Sequence, residues 1–277
     1  MLAFICVTCG TQYPESDQPP AHCLICEDER QYVNSDGQQW TTLDALRPAH
    51  HLLIEPVEPG LYRLKPEPKV GIGQYAHLVQ TPAGNILWDC VPFIDDAAVD
   101  AINALGGVQA IAISHPHFHT VMVEWSRAFG DIPIYIHAGN RPHVVRPDAA
   151  IRYWDSETLP LFGGLTLIRC GGHFPGSAVL HWEGGADGRG VLLTADTIDV
   201  VADARYVTFM YSYPNLIPLP ASKIRAIVEA VQPFAFDRLY EGFGAVIKHD
   251  AKARVAISAE RYIRAISEPD GLSQGPA

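Results

Sequence analysis

The chain has 277 residues, 48% of them hydrophobic and 18% charged, which suits a large globular domain with a small appendage and excludes a disordered chain. Its formal net charge is −11. Without a basic cluster, that balance excludes the usual means of gripping a phosphate backbone or an anionic membrane surface, so neither nucleic acid nor membrane is expected as a partner. The start, MLAFICVTCG, lacks the basic segment and sustained apolar run of a secretory signal. No stretch approaches the roughly 18 apolar residues of a spanning helix. Four of the six cysteines fall in two CxxC pairs. Such pairs fit metal binding in a reducing compartment better than disulfides, and a cytoplasmic location is expected.

Residues 1–37, rich in Cys, Pro and polar turn residues, are expected to form a module of their own. Cys6-Val7-Thr8-Cys9 and Cys23-Leu24-Ile25-Cys26 are separated by thirteen residues. Each CxxC turn sets two thiolates on one side of a tight knuckle, and two knuckles supply the sulfurs of a tetrahedral site. Metal binding is also what lets so short a segment fold. Rubredoxin-type iron uses similar pairs, but the short spacing is more like a zinc ribbon, so a structural Zn2+ is expected. Cys90 and Cys170 have no partner spacing and read as small buried hydrophobes.

From residue 38 to 277 the pattern alternates short apolar strands with amphipathic helices. Strands are predicted over 70–80, 85–90, 108–114, 132–136, 165–169, 178–182, 191–195 and 236–240, and helices over 95–105, 120–129, 220–231 and 250–266. Asp95 and Asp96 suit a helix start, and Gly106-Gly107 suits its end. The order suggests sheets covered by helices, whether one sheet or two; the tail GLSQGPA is low in complexity.

The most informative segment runs Ser114-His115-Pro116-His117-Phe118-His119-Thr120, directly after an apolar strand. In an extended loop, alternate residues face one side, so His115 and His117 can reach one ion. Gly171-Gly172-His173-Phe174-Pro175-Gly176-Ser177 presents a histidine in a turn, and Ala195-Asp196-Thr197 ends an apolar strand with a carboxylate. In this order the segments resemble the metallo-β-lactamase superfamily, the αββα metallohydrolase fold shared by glyoxalase II, lactonases and persulfide dioxygenases. Trp88-Asp89-Cys90 resembles that family's strand-end Asp, Ser114 to His117 the start of HxHxDH, Gly172 to Ser177 its GHTPGS-like turn, and Asp196 its bridging carboxylate. The resemblance spans about 69–266. It implies an α/β four-layer sandwich, with Asp89 supporting the ligands from behind.

Departures from the family pattern shape the functional expectation. His119 and Thr120 stand where the family has Asp and His, and Phe243 stands at the place of the late histidine. His249 reads as a surface residue. One metal is therefore expected, held by His115, His117 and His173, with Asp196 as fourth ligand or orienting carboxylate. Such an ion, expected as Zn2+, would activate water against a small ester, thioester or lactone, with Asp196 or His119 taking the proton. The alternatives are a mononuclear Fe2+ dioxygenase of the persulfide type, in which His115, His173 and Asp196 would be the ligands, and a metal-binding protein without catalysis. Tyr211 and Tyr213, in an aromatic turn after Asp196, and Phe243 are candidates for the pocket mouth. His137 and His143 are expected to make ordinary polar contacts. Arg254, Arg261, Tyr262 and Arg264 read as a solvated helix face. A small-molecule substrate is expected, and a homo-oligomer is compatible with the sequence.

Overall fold

The fold is described from a computed structural model over residues 1–267, and the tail at 271–277 lies outside the described residues. The chain divides into two units, Met1–Asp155 and Ser156–Ala277.

In the first unit, β1 (Leu2–Cys6) pairs antiparallel with β2 (Gln12–Ser16) and with β3 (Trp40–Thr41), setting Cys6 opposite Trp40. The ribbon's sheet thus reaches past residue 37, because its third strand comes from the segment that leads away from it. Tyr13 and Ile25 are buried among the four cysteines, with Trp40 and Val145 packed against them. That is too little apolar surface for an independent core.

The same unit carries a seven-stranded sheet in the order β10-β9-β8-β7-β6-β5-β4. Its first half is an antiparallel meander of β4 (His51–Glu58), β5 (Leu61–Glu67), β6 (Ala76–Thr81) and β7 (Gly84–Trp88). Its second half, β7 with β8 (Ala110–Ile113), β9 (Ile134–His137) and β10 (Ile151–Trp154), is parallel. All four residues of β8 are buried, as a strand covered on both faces requires. The helix Asp96–Ala104 is capped by Asp95, whose Oδ1 accepts from the Ala98 amide at 2.7 Å.

Several expectations need correction. The strand expected from residue 70 begins at Ala76, since Gly71 and Gly73 turn the chain first with positive φ. β4 and β5 were not expected. The helix expected from residue 120 begins at Met122, after a 3₁₀ turn over Pro116–Phe118 and a left-handed Thr120.

The second unit contains a six-stranded sheet in the order β11-β12-β13-β14-β19-β20. Its strands are β11 (Thr158–Pro160), β12 (Leu165–Arg169), β13 (Ala178–Trp182), β14 (Val191–Leu193), β19 (Arg238–Tyr240) and β20 (Val246–Ile247). Between β14 and β19 lie two small hairpins, β15 (Asp199–Val200) with β16 (Val207–Thr208) and β17 (Met210–Ser212) with β18 (Ile217–Pro218). The helices Ala221–Val231 and Ala251–Ser267 bury Ile224, Ile227, Val231, Val255 and Ala259 in one cluster with Ile168, Val179, Leu192 and Leu239. The last helix is not solvated at every position expected. Tyr262 packs on that cluster and directs its hydroxyl at Met210 Sδ, 3.3 Å away, while Arg261 covers the Tyr206 ring at 4.2 Å.

Gly190 governs the entry into β14. At φ +86° a Cβ there would stand 2.0 Å from the Ala235 carbonyl oxygen, whereas Gly188, at φ +81°, has open space. Gly188→Ala should therefore cost only the left-handed strain, about 1–2 kcal/mol. Gly190→Ala adds a backbone clash and should lose at least twice as much in urea unfolding. Equal losses would refute this account of the strand entry.

Candidate metal centres

The four thiols of the ribbon converge. Cys6 Sγ lies 3.5 Å from Cys26 Sγ and Cys9 Sγ lies 3.6 Å from Cys23 Sγ, and all four sulfurs fall within 4.8 Å of one another. Sulfurs about 2.3 Å from a tetrahedral ion would be about 3.8 Å apart. The separations are far longer than a disulfide, and all six cysteines are free thiols. Gln38 Nε2 donates to Cys6 Sγ at 3.2 Å, and the Thr11 hydroxyl lies 3.3 Å from Cys9 Sγ. Such contacts suit thiolates. The cluster fits a zinc-ribbon-like module.

In the first unit, the ends of β7 and β8 bring two imidazoles together. Asp89, at φ +65°, accepts from the Ser114 amide through Oδ1 at 2.7 Å, while its own amide donates to the Ala112 carbonyl at 2.8 Å. Ser114 Oγ in turn lies 2.9 Å from His115 Nδ1, so ligation by that ring would be through Nε2. The His115 and His117 rings meet edge to face, with centroids 5.0 Å apart and donor nitrogens within 4.8 Å. Both are buried.

His119 belongs to a different environment. Its Nδ1–H points to the His143 carbonyl at 3.3 Å, and its buried Nε2 has no hydrogen-bond partner. The ring lines a small cavity with Thr11, Gln12, Thr120 and Arg146. Burial, aided by the neighbouring His115, pushes its pKa down to about 3. His137 caps the next turn by accepting from the Gly139 amide at 3.1 Å, and His143 Nε2 meets Asp28 at 3.4 Å.

The second unit brings an imidazole and a carboxylate together. His173, in the turn after β12, directs Nδ1 at the Met210 carbonyl, 3.2 Å away, and brings Nε2 to 3.8 Å from Asp196 Oδ2. Asp196 follows β14 in a 3₁₀ turn entered through a left-handed Ala195. Both side chains are buried. The Tyr213 hydroxyl donates to the Asp196 carbonyl at 3.1 Å, and its ring centroid lies 5.9 Å from that of His173. Tyr211 packs against the helix-lined core.

Two carboxyl groups beside this pair had no motif to reveal them. Glu241 is buried and accepts from the amides of Phe243, at 2.5 Å, and Ala245. Burial and the neighbouring Asp199 push its pKa up to about 8. Asp199 is raised to about 6 by burial and by the charge of Asp196. Two carboxyl groups in contact cannot readily both ionise, so Glu241 keeps the proton. Phe243 is 41% exposed, and His249, also exposed, pairs with Asp237 at 3.7 Å.

No family model matches the chain. It is 52% identical over 269 residues to the uncharacterized protein YmaE of Bacillus subtilis (strain 168), covering 96% of this chain and 98% of that one. Among solved structures, it is similar to the DIM-1 metallo-β-lactamase, with a TM-score of 0.59 at 14% identity over 78% of this chain and 99% of that one. It is also similar to the metallo-β-lactamase FIM-1 from Pseudomonas aeruginosa in a mono-zinc form, with a TM-score of 0.55 at 16% identity over 76% and 95% of the two chains. At these identities the likeness shows the fold, a mixed α/β fold of the metallo-β-lactamase type. No helix among the described residues is long and apolar enough to cross a membrane.

Replacing Cys9 with Ser should lower bound metal by one equivalent and expose the first 41 residues to protease; unchanged metal content with an intact segment would contradict the four-thiolate site. Glu241 supplies a test by pH. Its folded pKa lies above the ordinary 4.5, so its contribution to stability is full below that value and lost as pH rises toward about 8. The stability of the wild type relative to Glu241→Gln should fall between about pH 5 and pH 8 in urea titrations. A difference independent of pH would show that the carboxyl group is not held protonated.

Proposed function

Because the chain belongs to one family with YmaE of Bacillus subtilis and carries the metallo-β-lactamase fold, we propose that it is a metal-dependent hydrolase in which His115, His117, His173 and Asp196 hold one ion. What carries this reading is the pair of buried half-sites, two imidazoles at the end of β8 and an imidazole–carboxylate pair after β12 and β14. Nδ1 of His115 and of His173 is engaged by Ser114 Oγ and the Met210 carbonyl, which fixes both rings for ligation through Nε2. Three imidazoles and a carboxylate suit zinc.

When bound, such an ion supplies Lewis acidity and lowers the pKa of a coordinated water to about 7. The remaining work falls to the chain. Asp196, through the carboxylate oxygen left over from ligation, would orient a water beside the ion and accept its proton. Glu241, by retaining its own proton, leaves Asp196 facing the charge of Asp199 alone. Tyr213, anchored on the Asp196 carbonyl, and the exposed Phe243 border the approach of a small ester, thioester or lactone. His119 is less suited to proton transfer than Asp196, since its Nδ1 is committed to the His143 carbonyl. An iron dioxygenase would leave His117 a bystander, and its burial against His115 favours the three-histidine set. Free thiols throughout the described chain suit a reducing compartment.

One ion per centre follows from the lost donors: Thr120 and Phe243 offer no imidazole where two-metal relatives of this fold carry one. FIM-1 itself has been solved in a mono-zinc form. His115→Ala and His173→Ala should each remove the active-site metal, leave the fold and the ribbon metal in place, and reduce hydrolysis of an ester, thioester and lactone panel to background. β-Lactams should be turned over little or not at all. Wild-type occupancy in both variants, two fully occupied ions near His115, or iron in freshly purified anaerobic protein would each defeat this assignment.

A further inference from the structure

The ribbon is tied to the loop that carries His115 and His117 at four places. Gln74, fully buried between β5 and β6, donates from Nε2 to the His117 carbonyl at 3.1 Å and, at 3.4 Å, to the carbonyl of the knuckle residue Cys9. The backbone amide of Gln12, at the start of β2, donates to the Thr120 carbonyl at 3.0 Å. Arg146 joins the Gln12 side chain to Glu124, 2.6 Å away on the helix that follows the loop. Asp28, just beyond Cys26, meets His143 at 3.4 Å, and the carbonyl of His143 receives the His119 ring N–H.

Thr120 explains why such ties are needed. It is a β-branched residue at φ +33°, a strained backbone that persists only where its surroundings over-determine it. The ribbon's Gln12 amide holds its carbonyl directly. The ribbon in turn has almost no core beyond its cysteines, so the positions of Cys9 and Gln12 depend on the ion the thiolates hold.

We propose that the ribbon is a positioning element of the metal centre, with Gln74 as its coupling residue, so that filling the ribbon raises the affinity of the His115/His117 centre for its ion. This rests on the metal-centre reading above. The coupling is reciprocal, as any linkage between two binding equilibria must be. It needs no contact between the two ions, only a loop whose strained conformation both favour.

Cobalt(II) tests it in the full-length chain, because thiolate charge-transfer absorption reports the ribbon and weaker ligand-field bands report the nitrogen–oxygen centre. Gln74→Leu should keep the thiolate band and the folded far-UV spectrum while weakening cobalt binding at the nitrogen–oxygen centre about tenfold. Cys9→Ser, which empties the ribbon, should weaken it by a similar factor, and the double variant should lose no more than the larger single loss. Wild-type affinity in Gln74→Leu, or losses that multiply in the double variant, would overturn the coupling. If Cys9→Ser does not fold, Gln74→Leu alone decides, together with hydrogen exchange of residues 115–122, expected to speed up in that variant and to stay unchanged if the proposal is wrong. A wild-type chain that binds cobalt only in the ribbon would instead defeat the metal-centre reading itself.

Discussion

The segment after β8 takes three imidazoles out of water within five residues, where every ring nitrogen needs a partner. A neutral ring is a lone-pair donor whose usefulness depends on which nitrogen carries its proton. Much of the local structure answers that single question. Ser114 Oγ faces His115 Nδ1, Asp89 fixes the Ser114 amide, and the His143 carbonyl takes the His119 ring N–H. In the second unit the Met210 carbonyl does the same for His173. A backbone carbonyl accepts but cannot donate, so His119 and His173 carry their proton on Nδ1, while the Ser114 hydroxyl orients the His115 ring.

Backbone strain marks the same places. Asp89, Thr120 and Ala195 all adopt positive φ without being glycine, and each stands at, or next to, a residue of the donor sets or the chain that supports them. Strain of this kind is held by the rigid strands that precede it, β7, β8 and β14, whose residues are almost wholly buried. Rigid strands thus carry the cost of irregular ends. The ends then place side chains more accurately than a relaxed loop would.

Much of this was legible in the sequence, for identifiable reasons. The runs at 165–169 and 178–182 matched their strands residue for residue, since each is a short apolar segment bounded by glycines and turn residues. The helix start at Asp95 followed from a side chain that can cap. β4 and β5 escaped because Pro56, Pro66 and the pair Glu55–Arg63 interrupt the apolar pattern. Such residues are tolerated at the outer end of a sheet, where β4 lies. The histidines and Asp196 were visible through their order along the chain. Gln74 and Glu241 were not, because their importance comes from what they face, a knuckle carbonyl in one case and a second carboxyl group in the other, and no local spacing encodes that. His119, a candidate to take the proton, lines a small cavity with the ribbon residues Thr11 and Gln12, which its spacing alone did not reveal.

The parallel half of the seven-stranded sheet has a consequence for descent. β7, β8 and β9 run the same way, so the segments that follow them, at Asp89, at 114–120 and at 138–143, all leave from one edge. Residues at that edge can be exchanged over generations while the strand interiors stay apolar and unchanged in role. A change of donor at that edge, such as a threonine in place of an imidazole at position 120, therefore leaves the sheet itself undisturbed.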